Sequence, residues 1–218
     1  MKTQPLRLTL VTPPDKQPLT LNEVKLAARM DDDFTDDDAI LTALIRVASE
    51  AFETYTGLSG ISRTYRAFLT HWPRAEMARD WEGFREGPED WLNGPPRDLE
   101  LPRPPLQSVT HIKTYDDADA ATTYAASNYF VDTASKPGRV VLRTGSAQPL
   151  PTRVANGIEI EFVAGYGSNP ADLPEQARQG MSQLVVYLNE RRGDCTVEEG
   201  IAKSGAGLLW APLRIGRL

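Results

Sequence analysis

Apolar positions along this chain change period twice, from helical to alternating and back to helical, and each change marks a different part of the molecule. Pro5, Pro13, Pro14 and Pro18 deny the first eighteen residues a continuous helix, so they read as an extended arm. Thr20-Leu21-Asn22-Glu23 then has capping-box spacing, with the Thr20 hydroxyl placed to accept from the Glu23 amide while the Glu23 carboxylate reaches back. A short helix through about Met30 is predicted, burying Leu21, Val24 and Ala28, and the acidic run 31–38 interrupts it. Thr35 or Asp36 is positioned to cap a second, longer helix. Ile40, Leu41, Leu44, Ile45, Ala48, Phe52 and Tyr55 recur on one face of that helix, and Gly57 stands where a left-handed C-cap belongs.

From Ile61 the period becomes two. Ile61, Arg63, Tyr65, Ala67, Leu69 and His71 alternate with Ser62, Thr64, Arg66, Phe68, Thr70 and Trp72, and the β-branched and aromatic content favours a strand. Residues 73–98 contain Trp81, Trp91, Pro73, Pro88, Pro95 and Pro96 without a sustained period, which predicts a long loop with one helical turn near 75–86. Further strands are predicted at 107–115, 128–132, 139–143 and 157–164. Turn signals lie at 116–119, Pro137-Gly138 and Asn156-Gly157, the last a two-residue hairpin signal. Ile158, Ile160 and Phe162 face one way and Glu159 and Glu161 the other, so this sheet is expected to have a wet side.

Pro174 suits the first turn of a final long helix, with Ala177, Met181, Leu184, Val185 and Leu188 as its buried stripe and Gly193 as its stop. Beyond a polar linker, residues 208–215 form an apolar tail carrying Leu208, Leu209, Trp210, Leu213, Arg214 and Ile215, followed by Arg217. The expected fold class is α+β. N- and C-terminal helices pack as a small helical bundle, with an inserted antiparallel β module and an extended C-terminal tail. The corresponding division is 1–60 for the arm and first helices, 61–170 for the β module with its loop 73–98, and 171–218 for the last helix and tail.

Composition narrows the function classes. The 218 residues carry a net charge of −6, which argues against a general nucleic-acid coat. A single cysteine, Cys195, excludes an internal disulfide and a Cys-cluster zinc site. No run approaches the ~18 apolar residues of a membrane span, so no membrane partner is expected, and the composition reads as cytosolic and globular. Charge is unevenly spread, with the last eighteen residues holding Lys203, Arg214 and Arg217 and no acid.

Catalytic signatures are missing: no GxGxxG, Walker loop, HExxH or GxSxG occurs. His71 and His111 fall on different predicted strands, where a half-buried strand histidine is the commoner reading, and an enzyme would need one of them to meet carboxylates in a pocket. The run Asp31, Asp32, Asp33, Asp36, Asp37, Asp38 lacks the glycine and the bidentate glutamate of an EF-hand loop, since Asp36 and Thr42 stand at those positions. No catalytic residue, metal or cofactor is therefore assigned. Trp81 and Trp91 are either a partner surface or anchors that fold their loop inward. The apolar tail either packs on its own domain or docks into another chain.

Three stretches in order form a recognisable pattern. The first is Leu19-Thr20-Leu21-Asn22-Glu23-Val24-Lys25 with the following aspartates, Ala39-Ile40-Leu41-Thr42-Ala43-Leu44-Ile45 and Glu53-Thr54-Tyr55-Thr56-Gly57. The second is Leu101-Pro102-Arg103-Pro104-Pro105-Leu106-Gln107-Ser108-Val109 running into Ile112-Lys113-Thr114-Tyr115-Asp116. The third is Val163-Ala164-Gly165-Tyr166-Gly167, then Leu173-Pro174 and the helix to Glu190-Arg191-Arg192. Over residues 19–193 the sequence resembles the head–tail connector (adaptor) proteins of tailed bacteriophages and phage-like gene transfer agents. It departs from them in a longer loop at 73–98 and a heavier aspartate run.

The resemblance implies a structural protein without catalysis, assembled in the bacterial cytoplasm and resident in the neck of a virion or phage-like particle. Such adaptors form a homo-oligomeric ring, typically dodecameric, below the portal protein. They extend the DNA channel without sequence-specific binding and present a platform for the next connector (stopper) or tail component. On that reading, Leu208, Leu209, Trp210, Leu213 and Ile215 anchor the subunit to the portal and Arg214 and Arg217 pair with portal acids. Deleting 205–218 is then expected to abolish attachment and leave the monomer folded. Asp31, Asp32, Asp33, Asp36, Asp37, Asp38, Glu159 and Glu161 are candidate channel-lining acids, since a negative wall does not hold phosphates. The alternative is a monomeric module that recruits one partner through its apolar tail or tryptophan loop.

Overall fold

A computed structural model describes residues 6–73 and 97–215. The chain divides into two compact units, and each draws on separated stretches of sequence. Met1–Thr12, Thr64–Leu101 and Leu106–Val163 make the β unit; Pro13–Arg63, Pro102–Pro105 and Ala164–Leu218 make the helical unit.

In the helical unit, α1 (Leu21–Ala27) begins with the expected capping box, both reciprocal bonds between Thr20 and Glu23 being present. Helix α2 (Asp38–Thr56) ends at Gly57 in the left-handed conformation, as the sequence predicts. Its start differs. Asp37 rather than Thr35 or Asp36 occupies the N-cap, because the Asp38 amide donates to the Thr35 carbonyl in a preceding turn. Ile40, expected on the buried face, is 45% exposed.

The buried stripe of α2, led by Leu41, Ile45, Ala48 and Phe52, packs against that of α3 (Glu175–Arg191), where Ala177, Met181, Leu184, Val185 and Leu188 are all buried. The stretches expected to be a polar linker and an extended tail are helical instead. They form α4 (Val197–Lys203) and α5 (Ala206–Trp210), then a 3-10 turn over Ala211–Leu213. Ala206 and Trp210 join the helical core. The physical reason is a mutual fit. Gly180 of α3 leaves room for the indole, where an added Cβ would strike the ring nitrogen, and that nitrogen donates to the Ala177 carbonyl at 3.2 Å.

The β unit contains two sheets. One has five strands in the order β1 (Arg7–Thr12), β2 (Arg63–Leu69), β8 (Ile158–Ala164), β4 (Leu106–Tyr115), β5 (Ala121–Tyr124). The other has three, in the order β3 (Asp98–Glu100), β7 (Arg139–Leu142), β6 (Tyr129–Asp132). The N-terminal arm therefore supplies an edge strand, antiparallel to β2. Asp116 closes the β4–β5 hairpin by accepting from the amides of Ala118 and Ala120. Pro137-Gly138 lies in the connection between the antiparallel pair β6 and β7.

Asn156-Gly157 is not a hairpin turn. The residues before it form no strand, and β8 instead enters the sheet between β2 and β4. Gly157 is needed for close approach: a Cβ there would strike Pro151. The loop 73–98, apart from residue 73 and the β-unit residues 97 and 98, lies outside the described residues.

Candidate functional site

Inserting β8 between β2 and β4 brings polar side chains from these three strands onto one face of the five-stranded sheet. Glu159 and Glu161 share that face because strand side chains repeat every second residue. Arg66 of β2 reaches both, its Nε lying 3.3 Å from Glu159 Oε1 and its terminal nitrogen 2.7 Å from Glu161 Oε2. From β4, His111 Nε2 lies 3.1 Å from Glu159 Oε1 and His111 Nδ1 3.8 Å from Glu161 Oε1. The Tyr115 hydroxyl donates to Glu159 Oε2 at 2.8 Å.

Glu159 is 4% exposed. Burial by itself raises a carboxyl's pKa, but here the hydrogen bonds from His111 and Tyr115 and the Arg66 charge outweigh it and hold Glu159 below its ordinary 4.5. Burial pushes the Tyr115 phenol up, and its bond to Glu159 adds to the shift. Because Glu159 binds its proton less tightly when folded, the stability it contributes is present above its unfolded pKa. That contribution is lost as pH falls through the lower folded value. Urea midpoints measured from pH 6 down to 3 should thus fall more steeply for the native chain than for Glu159→Gln. Parallel curves would remove this carboxylate from the acid response.

The expected wet side is accordingly corrected. Glu159 is enclosed and Glu161 half-buried, and Arg66 offsets their charge, so this pair does not present a bare negative wall. His111 does meet two carboxylates, as an enzyme reading would require. A groove of about 450 Å³ among the described residues runs along α3, lined by Gln179, Gln183, Tyr187, Glu190 and Lys203 among others, with no histidine. Arg66 and Tyr115 escaped the sequence reading. The signal was two glutamates two residues apart on one strand, but their neighbours depend on strand order.

The aspartate run separates into two groups. Asp31, Asp32, Asp33 and Asp36 are exposed. Asp37 pairs with Arg192 at 2.8 Å and Asp38 with the buried Lys25 at 2.7 Å, so both serve the helical unit internally.

The tail residues separate in the same way. Trp210 is fully buried and packs edge-on against Phe52 at 5.5 Å, which withdraws it from portal contact. Leu209, Leu213 and Ile215 are half-buried against the same core, and the Ile215 amide donates to the Thr56 carbonyl. Leu208, 82% exposed, and Arg214, whose guanidinium lies 5.7 Å from the Tyr55 ring centre, face outward. Arg217, Trp81 and Trp91 lie outside the described residues. A truncation at 205 therefore removes part of the core, contrary to the expectation that it spares folding.

Residues 18–81 match the model of the phage gp6-like head–tail connector protein family. Among solved structures, the chain is similar at 25% identity to a protein in the neck of an empty gene transfer agent particle computed with C6 symmetry. That alignment covers 97% of each chain at a TM-score of 0.72. A chain from the virion of a native gene transfer agent particle matches at 25% identity and TM-score 0.71, covering 97% of this chain and 96% of that one. A third, from the neck of a native particle computed with C12 symmetry, matches at 25% identity and TM-score 0.66, with 97% of both chains covered. The chain resembles head–tail connector proteins in sequence over residues 18–81 and in fold over 97% of its length. No curated protein sequence matches the chain. The matched family is structural, not enzymatic.

Proposed function

We propose that the chain is a connector that assembles in the bacterial cytoplasm as a dodecameric ring in the neck of a phage or gene-transfer-agent particle. It sits below the portal, extends the DNA channel, and offers the attachment platform for the next connector or tail component. The observation that carries this reading is the similarity, over 97% of both chains, to a neck protein in a particle computed with C12 symmetry. A head-to-tail ring uses two different faces of each subunit, so it requires no self-complementary patch. The exposed acids Asp31, Asp32, Asp33 and Asp36 are the remaining candidates for the channel wall, since repelled phosphates slide past.

Portal contact falls to the outward part of the C-terminal segment, Leu208 and Arg214, with Arg217 beyond them. The double variant Leu208→Asp, Arg214→Glu tests it by co-sedimentation with DNA-filled, tailless capsids that carry the portal. The expected result is loss of capsid binding with a urea midpoint close to the native one, because exposed substitutions cost about 0.5 kcal/mol or less. Capsid binding equal to the native chain's would place the portal contact elsewhere. No binding by the native chain, where an authentic connector binds, would refute the adaptor role.

A further inference from the structure

We propose that His111, Glu159 and Glu161 form a binding site for one divalent transition-metal ion of the zinc type, bridging strands β4 and β8. Among the described residues these three each offer a ligand atom, and the three atoms all lie within 4.8 Å of one another. Metal bonds of about 2.0–2.2 Å put neighbouring ligand atoms roughly 3.0–3.6 Å apart. His111 Nε2 and Glu159 Oε1 already stand at 3.1 Å, so an ion can replace the proton they share with little movement of either strand.

The donor set selects the class of ion. One imidazole and two carboxylates suit zinc and its neighbours, whereas calcium requires six to eight oxygens. The surroundings also resemble a supported site. Tyr115 donates to the second oxygen of Glu159, the kind of outer bond that fixes a ligating carboxylate, and Glu159 is nearly enclosed. Two carboxylates against one guanidinium leave a negative balance, which attracts a cation.

Arg66 is the internal competitor. It holds Glu161 Oε2 at 2.7 Å, yet its side chain is 36% exposed and can turn toward water when an ion takes the carboxylates. This gives the site a signature that an ordinary ion-pair network lacks: removing Arg66 should strengthen zinc binding even though it removes two ion pairs.

The test is calorimetric titration of zinc chloride into the full-length chain after chelator dialysis, with thermal melting alongside. One ion per chain is expected, with a melting midpoint raised by about 5–10 °C when zinc is near 100 times its Kd. His111→Gln should weaken binding at least tenfold, and Glu161→Gln, at a half-buried position, should do the same if the histidine variant does not fold. Arg66→Gln should tighten binding, and Cys195→Ser should leave it unchanged. The proposal is overturned if the native chain shows no stoichiometric binding, if the ligand variants bind as tightly as the native chain, or if Arg66→Gln weakens the site.

Discussion

Trp210→Ala is expected to destabilise the helical unit by about 3–5 kcal/mol, the usual cost of removing a large buried aromatic from a packed core. The indole is fully buried, meets Phe52 at 5.5 Å and Tyr55 at 5.9 Å, and donates its ring N–H to the Ala177 carbonyl. Truncation leaves a cavity beside Gly180 and removes the indole's hydrogen bond to the Ala177 carbonyl. Glycine at 180 has no side chain with which α3 could refill the space. Urea denaturation followed by far-ultraviolet circular dichroism reads the effect. A loss below about 1 kcal/mol would show that the C-terminal segment docks only loosely. The same argument predicts that deletion of 205–218 compromises folding, so lost capsid attachment by that variant would say nothing about the portal.

Asp38→Asn is expected to cost about 3 kcal/mol, at the lower end of what breaking a buried ion pair costs. Lys25 is 2% exposed, and its ammonium lies 2.7 Å from Asp38 Oδ1 and 3.1 Å from the Asp32 carbonyl. Neutralising Asp38 strands that charge in the interior. The reverse change, Lys25→Met, should cost less, because the Asp38 side chain is 31% exposed and can rehydrate. Combining the two should recover much of the loss, since an apolar pair avoids the desolvation penalty altogether. Asp31→Asn and Asp36→Asn, at exposed positions of the same run, should shift stability by about 0.5 kcal/mol or less. Equal effects at Asp36 and Asp38 would contradict the division of the run into structural and solvent-facing acids.

These two predictions concern side chains whose types were evident in the sequence but whose surroundings were not. Local signals were legible because they depend on neighbours in the chain. The Thr20–Glu23 capping box, the Gly57 cap, the buried stripe of α3 and the strands near 63–69, 106–115 and 158–164 follow from periods of 3.6 and 2 and from backbone chemistry. The resemblance to connectors was legible for a related reason, since ordered stretches with fixed spacing survive without knowledge of how they pack.

Contacts across the chain were decided by tertiary structure. An apolar segment such as 206–215 reads the same whether it docks inward or outward. Only the gap at Gly180, thirty residues away, turns Trp210 into a core residue. Glu159 and Glu161 alternate like solvent-facing residues, yet the placement of β8 between β2 and β4 sets Arg66, His111 and Tyr115 around them. Lys25 looks like an ordinary surface lysine on a helix until the turn at 31–37 brings Asp38 over it. Sequence by itself determined the helices α1 to α3, the clearly alternating strands and the family they resemble, but not the helices at 197–210. Burial and charge pairing belong to the fold, because both depend on which distant surfaces meet.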